Sequence, residues 1–347
     1  MTLPIPDGPD ALSAGWLSAV LGAPIREVEV TRIGQNEGFM GGALYRLSLP
    51  NQTLVAKLSP AEAKMRSRLA AANAREVAFY TSWADGLPVP DTRYAACDAQ
   101  TGASVVLMED LGAARAVPFV NGLREKDVTT VLTSLARTHA KWWNKPEVAT
   151  LSGVNALKDF VFADHWANYP TALRELLPDM ALSRGFLKLG EYVAEHATEV
   201  FSQMQERGPL TLLHRDLQMD NILFDADGRA LFIDWQFLGK GRGTWDVSYF
   251  LVSSVEPKLR RAQERHWISA YHNMLLQQGV TGYTAGTCWE DYLKSVIAKL
   301  FVTVIATVEL DNSTDHKRAY RRADLTRLLA FIEDHNLTPA IWERTHD

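Results

Sequence analysis

The sequence predicts an α+β chain of two lobes: a small antiparallel sheet with one helix over residues 1–110, then a larger, mainly helical lobe over residues 111–347. Three observations carry this. Apolar and polar residues alternate in short runs before residue 110; apolar residues recur at spacings of three and four after it; and strand character returns in the second part only as a hairpin near residue 230. A chain of 347 residues is long enough to bury the cores of two such domains.

The elements follow in order. IREVEVTRIG alternates and ends at Gly34; after the glycine-bearing GQNEGFMGGA, the runs LYRLSL and TLVAKLS alternate again, separated by PNQ, so three antiparallel strands are expected. Residues 61–84, rich in alanine, arginine and glutamate, predict a helix that Gly86, Pro88 and Pro90 close. DTRYAACDAQTG and ASVVLMEDLG read as two further strands around a DAQTG turn. Beyond Gly112, the positions Val128, Val131, Leu132, Leu135, Ala136 and Trp142 mark one face of a helix over 126–143. More helices are expected around 184–206, 257–278, 289–310 and 316–335, and ILFDADGRALFID is a hairpin with a DADG turn. No internal repeat and no low-complexity linker interrupts them.

Composition excludes several classes of function. The chain is 47% hydrophobic and 22% charged, the balance of an ordinary folded protein. Its net charge of -5 gives no electrostatic reason to expect a nucleic acid partner, since such proteins carry basic surfaces that displace counterions from phosphates. Cys97 and Cys288 are too few and too far apart for a disulfide scaffold or a cysteine metal site, which points to a reducing, cytoplasmic home. The start, MTLPIPDGPDALSAGW, lacks the basic and unbroken apolar segments of a signal peptide. The longest apolar run, LFVTVIATV at 300–308, falls far short of the roughly 20 residues that span a bilayer, so it predicts a buried helix or strand and no membrane association.

The most informative stretch is LLHRDLQMDNILF at 212–224, followed by DWQ at 234–236. Asp216, Asn221 and Asp234 are oxygen-bearing groups beside apolar strands, where an unpaired polar group is costly to bury, so they need a partner. Hard oxygen donors suit magnesium, which takes one or two protein ligands and fills its shell with water and phosphate oxygens. A carboxylate five residues before the asparagine suits proton acceptance from a hydroxyl. The spacing H-R-D-x-x-x-x-N, a hairpin, then an aspartate reproduces the catalytic-loop and metal-aspartate pattern of kinases.

On those residues the chain resembles the aminoglycoside phosphotransferase and choline kinase superfamily, and within it the ecdysteroid-kinase-like small-molecule kinases. LLHRDLQMDNILF resembles the family's catalytic loop, FIDWQ its metal aspartate, and GRGTWDVSYFL the buried-aspartate segment that follows; VAKL, REVAFY and VLMEDL match in the first lobe. The resemblance covers roughly residues 25–255 and implies a bilobal, protein-kinase-like fold. It implies ATP and magnesium as cofactors, Asp216 as catalytic base, and Asn221 and Asp234 as metal ligands. On the nucleotide side it implies Lys57 held by Glu76, a loop whose Gly38, Gly41 and Gly42 amides meet phosphate, and the backbone of Glu109 and Leu111 receiving the adenine. His214 is expected to be structural, Asp246 to brace the loop, and His139 to be a core histidine. Arg215 departs from the glycine most common in this superfamily. Asp220 has no role in the pattern beyond a solvated or capping one.

The function these residues imply is transfer of the γ-phosphate of ATP to a hydroxyl of a small organic molecule, apolar or steroid-like. The alternatives are an antibiotic or choline-type kinase and a catalytically silent nucleotide-binding regulator. Eight of the ten tryptophans lie from residue 142 onward, enough to fill a core and line an apolar acceptor pocket. Residues 256–347 carry 12 acidic and 12 basic residues, a balance that disfavours a polycationic acceptor. The basic run HKRAYRRADLTR near 316 predicts a solvated helix face. Sequence places no limit on oligomeric state.

Overall fold

The computed structural model describes residues 3–34, 42–151, 162–310 and 312–343. The chain packs as two compact units: Met1–Ala114 with Phe224–Leu238, and Arg115–Leu223 with Gly239–Asp347.

The first unit is built on five strands, β1 Glu29–Ile33, β2 Ala43–Leu49, β3 Gln52–Leu58, β4 Thr92–Cys97 and β5 Ser104–Glu109, in the order β1-β2-β3-β5-β4 with every pair antiparallel. Period-two alternation sorts its two faces. Leu47, Leu49, Leu54, Ala56, Leu58, Val105 and Leu107 share one face, covered by Leu12, Trp16 and Leu17 from the Ala14–Leu21 helix and its approach. Each fully buried leucine there is worth about 1.5–3 kcal/mol. Lys57 lies between Ala56 and Leu58 on β3 and therefore on the opposite face, where its register partners are Leu44 and Val106.

The helix expected over 61–84 is two helices, Ala63–Arg68 and Ala70–Ser82, which meet at Leu69. The cause is the turn at 98–102. Gly102, at φ +71°, approaches so closely that a Cβ would lie 2.6 Å from the Arg66 carbonyl oxygen and 2.9 Å from Ala70 Cβ, and its own carbonyl accepts from Asn73 Nδ2 at 3.0 Å. That contact requires glycine and sets the junction. The Ala70–Ser82 helix then buries Asn73, Glu76, Val77, Phe79 and Tyr80.

The second unit is mostly helical, with Glu125–Trp142, Phe162–Leu176, Arg184–Glu206, Pro257–Gln277 and Asp315–Asp334 as its long helices. The expected helix over 289–310 is Ala285–Lys294 followed by Val296–Glu309. Thr284 caps the first by accepting from Thr287 N at 3.1 Å, which starts it before residue 289, and Ser295 at the break hydrogen-bonds the Asp291 carbonyl at 2.6 Å. LFVTVIATV is thus buried helix. All eleven residues of the Thr244–Ser254 helix are buried, so it runs through the interior of this unit rather than along its surface. A short ladder pairs Thr211–Leu213 with Gly239–Gly241 and frames the segment that follows Leu213. Among the described residues no helix is long and apolar enough to cross a membrane.

Candidate active site

In the first unit, Lys57 Nζ donates to Glu76 Oε1 at 2.7 Å and to Asp234 Oδ1 at 2.8 Å. Burial alone would lower the ammonium's pKa, but the charges of Asp234 and Glu76 and their hydrogen bonds outweigh it and raise it. Lys57 stays cationic. Burial raises the Glu76 carboxyl, with Lys57 only partly offsetting it and the Asp234 charge adding to the rise. Two carboxylates therefore share one ammonium, and Asp234, with 37% of its side chain exposed, is the one open to a further partner.

Asp234 occupies the left-handed region at φ 65°, a conformation aspartate tolerates better than most residues, and it opens the turn Trp235–Phe237. The residues after it grip the Ala70–Ser82 helix. Trp235 stacks on Phe79 with centroids 3.8 Å apart, and Arg75 Nε donates to the Gln236 carbonyl at 2.9 Å; before Asp234, Phe232 N donates to the carbonyl of Pro88, beyond that helix, at 2.7 Å. Glu76 and Asp234 are held by the same helix, one on it and one against it.

Glu109 and Leu111 end β5 and begin the following loop. Glu109 Oε1 accepts from Asp91 N at 2.9 Å, and Asp110 between them takes both Arg46 Nε at 2.6 Å and Gly112 N at 3.0 Å. Sequence reasoning missed this Arg46–Asp110 clasp, because nothing in β2 distinguishes Arg46 from a solvated residue. At Gly42 a Cβ would stand 3.3 Å from the Leu58 carbonyl oxygen and 4.0 Å from Lys57 Cε, so glycine leaves room beside the lysine. Gly38 and Gly41 lie outside the described residues.

In the second unit the loop after Leu213 hangs from Asp246. This buried carboxylate accepts His214 N on Oδ2 and Arg215 N on Oδ1, each at 2.8 Å. The brace expected of Asp246 is what its two oxygens do. His139 is the core histidine expected of it, fully buried between the Tyr271 hydroxyl at 2.8 Å and Asp246 Oδ2 at 3.4 Å. Asp216 N donates to His214 Nδ1 at 3.3 Å, an internal tie of the loop.

Arg215 sits at φ 68°. That is the physical reason glycine suits this position: a Cβ in the left-handed region costs about 1–2 kcal/mol. The arginine is compensated by its guanidinium, which donates to the Lys240 carbonyl at 2.9 Å and lies 5.7 Å from the Trp245 ring centroid. Gly239 makes the space, since a Cβ there would fall 1.9 Å from Arg215 Cζ.

Asp216 and Asn221 are brought together. Asn221 Nδ2 donates to the Asp216 carbonyl at 2.8 Å and to its carboxylate Oδ2 at 3.2 Å, which commits the amide nitrogen and leaves the amide oxygen as the acceptor side of the group. The other carboxylate oxygen, Oδ1, accepts from the Tyr249 hydroxyl at 2.8 Å. Burial, then the charges of Asp216 and Asp324, keep the Tyr249 phenol well above its usual pKa, so it remains a donor. Asp220 is exposed as a residue, but desolvation of its carboxyl, which the Tyr320 hydroxyl only partly offsets, pushes its pKa up to about 6, so the group is not the simply solvated one expected. Each unit offers a hard oxygen donor of the kind magnesium accepts: the amide oxygen of Asn221 in the second, and the partly exposed carboxylate of Asp234 in the first. Among the described residues no group of three or more His, Cys, Asp or Glu forms a metal cluster of the all-protein kind.

Residues 42–279 match the model of the phosphotransferase enzyme family. A kinase-like protein of Caenorhabditis elegans, itself uncharacterized, is 25% identical over 209 residues, covering 57% of this chain and 55% of that protein; the chain spans about half the length of this curated relative. Two solved structures share the fold. One is a choline/ethanolamine kinase family protein from Mesorhizobium loti, 18% identical, covering 90% of each chain with a TM-score of 0.50. The other is the choline kinase LicA of Streptococcus pneumoniae, whose complex with AMP is 16% identical, covers 92% of this chain and 97% of that chain, and has a TM-score of 0.52.

Proposed function

Because the chain belongs to the phosphotransferase enzyme family, we propose that it is a small-molecule kinase that uses magnesium and ATP to phosphorylate a hydroxyl of a small, largely apolar organic acceptor. The observation that carries this is the Asp216 carboxylate, held on one oxygen by Tyr249 and on the other by Asn221. A carboxylate so oriented is equipped to accept the proton of an attacking hydroxyl, and a positioned base contributes about 100-fold to 10,000-fold.

In this reading Asn221 and Asp234 would hold the magnesium, which would supply neutralisation of charge on the β- and γ-phosphates. Lys57, cationic between two carboxylates, turns its ammonium to the phosphates while Glu76 keeps it in place. The backbone at Glu109 and Leu111 would receive the adenine, and the amide at Gly42 would face phosphate. The AMP bound by LicA supports a nucleotide in this family's fold. A hydroxyl compound is the expected partner; the net charge of -5 argues against nucleic acid.

A choline-type or antibiotic acceptor is the second reading, favoured by the choline/ethanolamine kinase family protein among the structures of like fold and disfavoured by the equal numbers of acidic and basic residues over 256–347. A silent nucleotide-binding regulator fits less well, because Lys57, Glu76, Asp216, Asn221 and Asp234 are all present.

The test is ADP release against a varied alcohol library with wild type, Asp216→Asn and Asp234→Ala. Asp216→Asn should lose at least about 100-fold in transfer while still binding nucleotide. Asp234→Ala should lose magnesium-dependent nucleotide binding. Unchanged transfer in Asp216→Asn would remove the base from the mechanism.

A further inference from the structure

We propose that Tyr249 is a positioning residue for phosphoryl transfer, its hydroxyl fixing the orientation of the Asp216 carboxylate. The inference rests on the kinase reading above and deepens it, by assigning the orientation of the base chiefly to one of its two donors. The Thr244–Ser254 helix bonds the loop at three points. Asp246 takes the amides of His214 and Arg215, Ser254 Oγ takes the Met219 amide at 3.0 Å, and Tyr249 reaches Asp216 Oδ1 at 2.8 Å. Two of these hold backbone; Tyr249 is the one that holds the reacting side chain.

The terminal torsion of an aspartate is soft and roughly two-fold, so a carboxylate needs a donor on each oxygen to hold its plane. Asn221 supplies one at 3.2 Å, a long contact from a group also bonded to the Asp216 carbonyl. Tyr249 supplies the shorter one. Its ring cannot swing away, being 1% exposed with the Lys299 ammonium 4.8 Å from its centroid. Lys299 is itself fixed by Asp324 at 2.6 Å, and Asp324 by the Thr303 hydroxyl at 2.9 Å. A chain of buried contacts therefore backs the hydroxyl, and the spacing of Asp246 and Tyr249, three residues apart, puts both on one helix face. A misplacement of about 1 Å in a reacting group can cost about 100-fold.

Tyr249→Phe keeps the ring and removes only the oxygen. The experiment measures magnesium–ATP turnover with water as acceptor, read as ADP release, for wild type, Tyr249→Phe and Asp216→Asn. For Tyr249→Phe, kcat should fall about 10-fold to 100-fold while KM for ATP stays within about twofold. A purely packing role would leave that ratio unsplit, and a kcat within about twofold of wild type overturns the proposal. Should wild type release no more ADP than Asp216→Asn with water and with every alcohol of the library, the kinase reading fails, and a crystal structure of Tyr249→Phe decides the positioning role on its own. An Asp216 carboxylate spread over more than one rotamer supports it; a single, unmoved rotamer overturns it.

Discussion

At the scale of the residue, Arg215 and Gly239 are complementary. The arginine accepts a left-handed backbone and recovers the cost through its guanidinium, which fits only because residue 239 has no side chain. Gly239→Ala should therefore push the guanidinium off the Lys240 carbonyl and destabilise the protein by about 1–3 kcal/mol. In an Arg215→Gly background the same change should cost less than about 0.5 kcal/mol, because nothing is left to displace. Chemical denaturation of the four proteins closes this cycle, and equal costs in both backgrounds would show that the two residues are independent. The departure of Arg215 from the common glycine was legible in the sequence; its reason was not, because φ is not written in the residue. Tyr249 was hidden in the same way. It stands among apolar neighbours in TWDVSYF and reads as core, and its partner lies 33 residues earlier. The pairing of Lys57 with Glu76, by contrast, was legible, since the resemblance of VAKL and REVAFY set the two together.

At the scale of the element, the Ala70–Ser82 helix is the part on which the first unit's site depends. It carries Glu76, and it holds the Asp234 segment by Arg75 and by the stack of Phe79 on Trp235. Phe79 is fully buried, so Phe79→Ala should cost about 3–5 kcal/mol and loosen magnesium-dependent nucleotide binding as Trp235 loses its support. A loss under about 1 kcal/mol in a denaturant titration would mean that Trp235 is held without Phe79. Strand alternation made β2 and β3 legible almost to the residue, because one face of each is fully packed and a one-residue slip would expose it. The breaks at Leu69 and Ser295 were not legible. Both stretches have unbroken helical composition, and each junction is set from elsewhere in the chain, by Gly102 in one case and by Thr244 against Ser295 Oγ, at 3.2 Å, in the other.

At the scale of the whole molecule, each unit is held by charges taken out of water, and the last third of the chain shows how. HKRAYRRADLTR, expected to form a solvated face, is divided. Arg318 and Arg322 pair with Asp315 and Asp179 at the surface. Arg321, Asp324 and Arg327 turn inward, and Arg327, 1% exposed, donates to the carbonyls of Phe119 and Ser253 at 3.0 and 2.7 Å. Charge composition cannot separate the two sets; the three-and-four spacing of Tyr320, Asp324 and Arg327 does so once the buried side is known.

This arrangement makes the second unit sensitive to acid. Glu264 accepts from Arg260 at 2.7 Å and from the Tyr292 hydroxyl at 3.2 Å, with His335 at 3.1 Å, and Asp334 accepts from Arg261 at 2.9 Å and from Arg260. Burial raises both carboxyls, but for Glu264 the His335 bond and the Arg260 charge outweigh it, and for Asp334 the Arg261 and Arg260 bonds do, so both end below their ordinary values of 4.5 and 3.8. A carboxyl depressed in the folded state stabilises fully above its unfolded value, and that contribution is lost as pH falls through the folded one. Stability should thus hold near neutrality and decline below about pH 4.5 as these groups protonate. Glu264→Gln removes the charge at nearly constant shape and leaves Arg260, 1% exposed, short of a partner, a loss of about 3 kcal/mol at pH 7. The gap between wild type and variant should narrow steadily from pH 5 to pH 3, because protonation does to the wild type what the substitution has already done. Denaturant titrations across that range measure it, and a gap that stays constant with pH would assign the loss to packing rather than to charge.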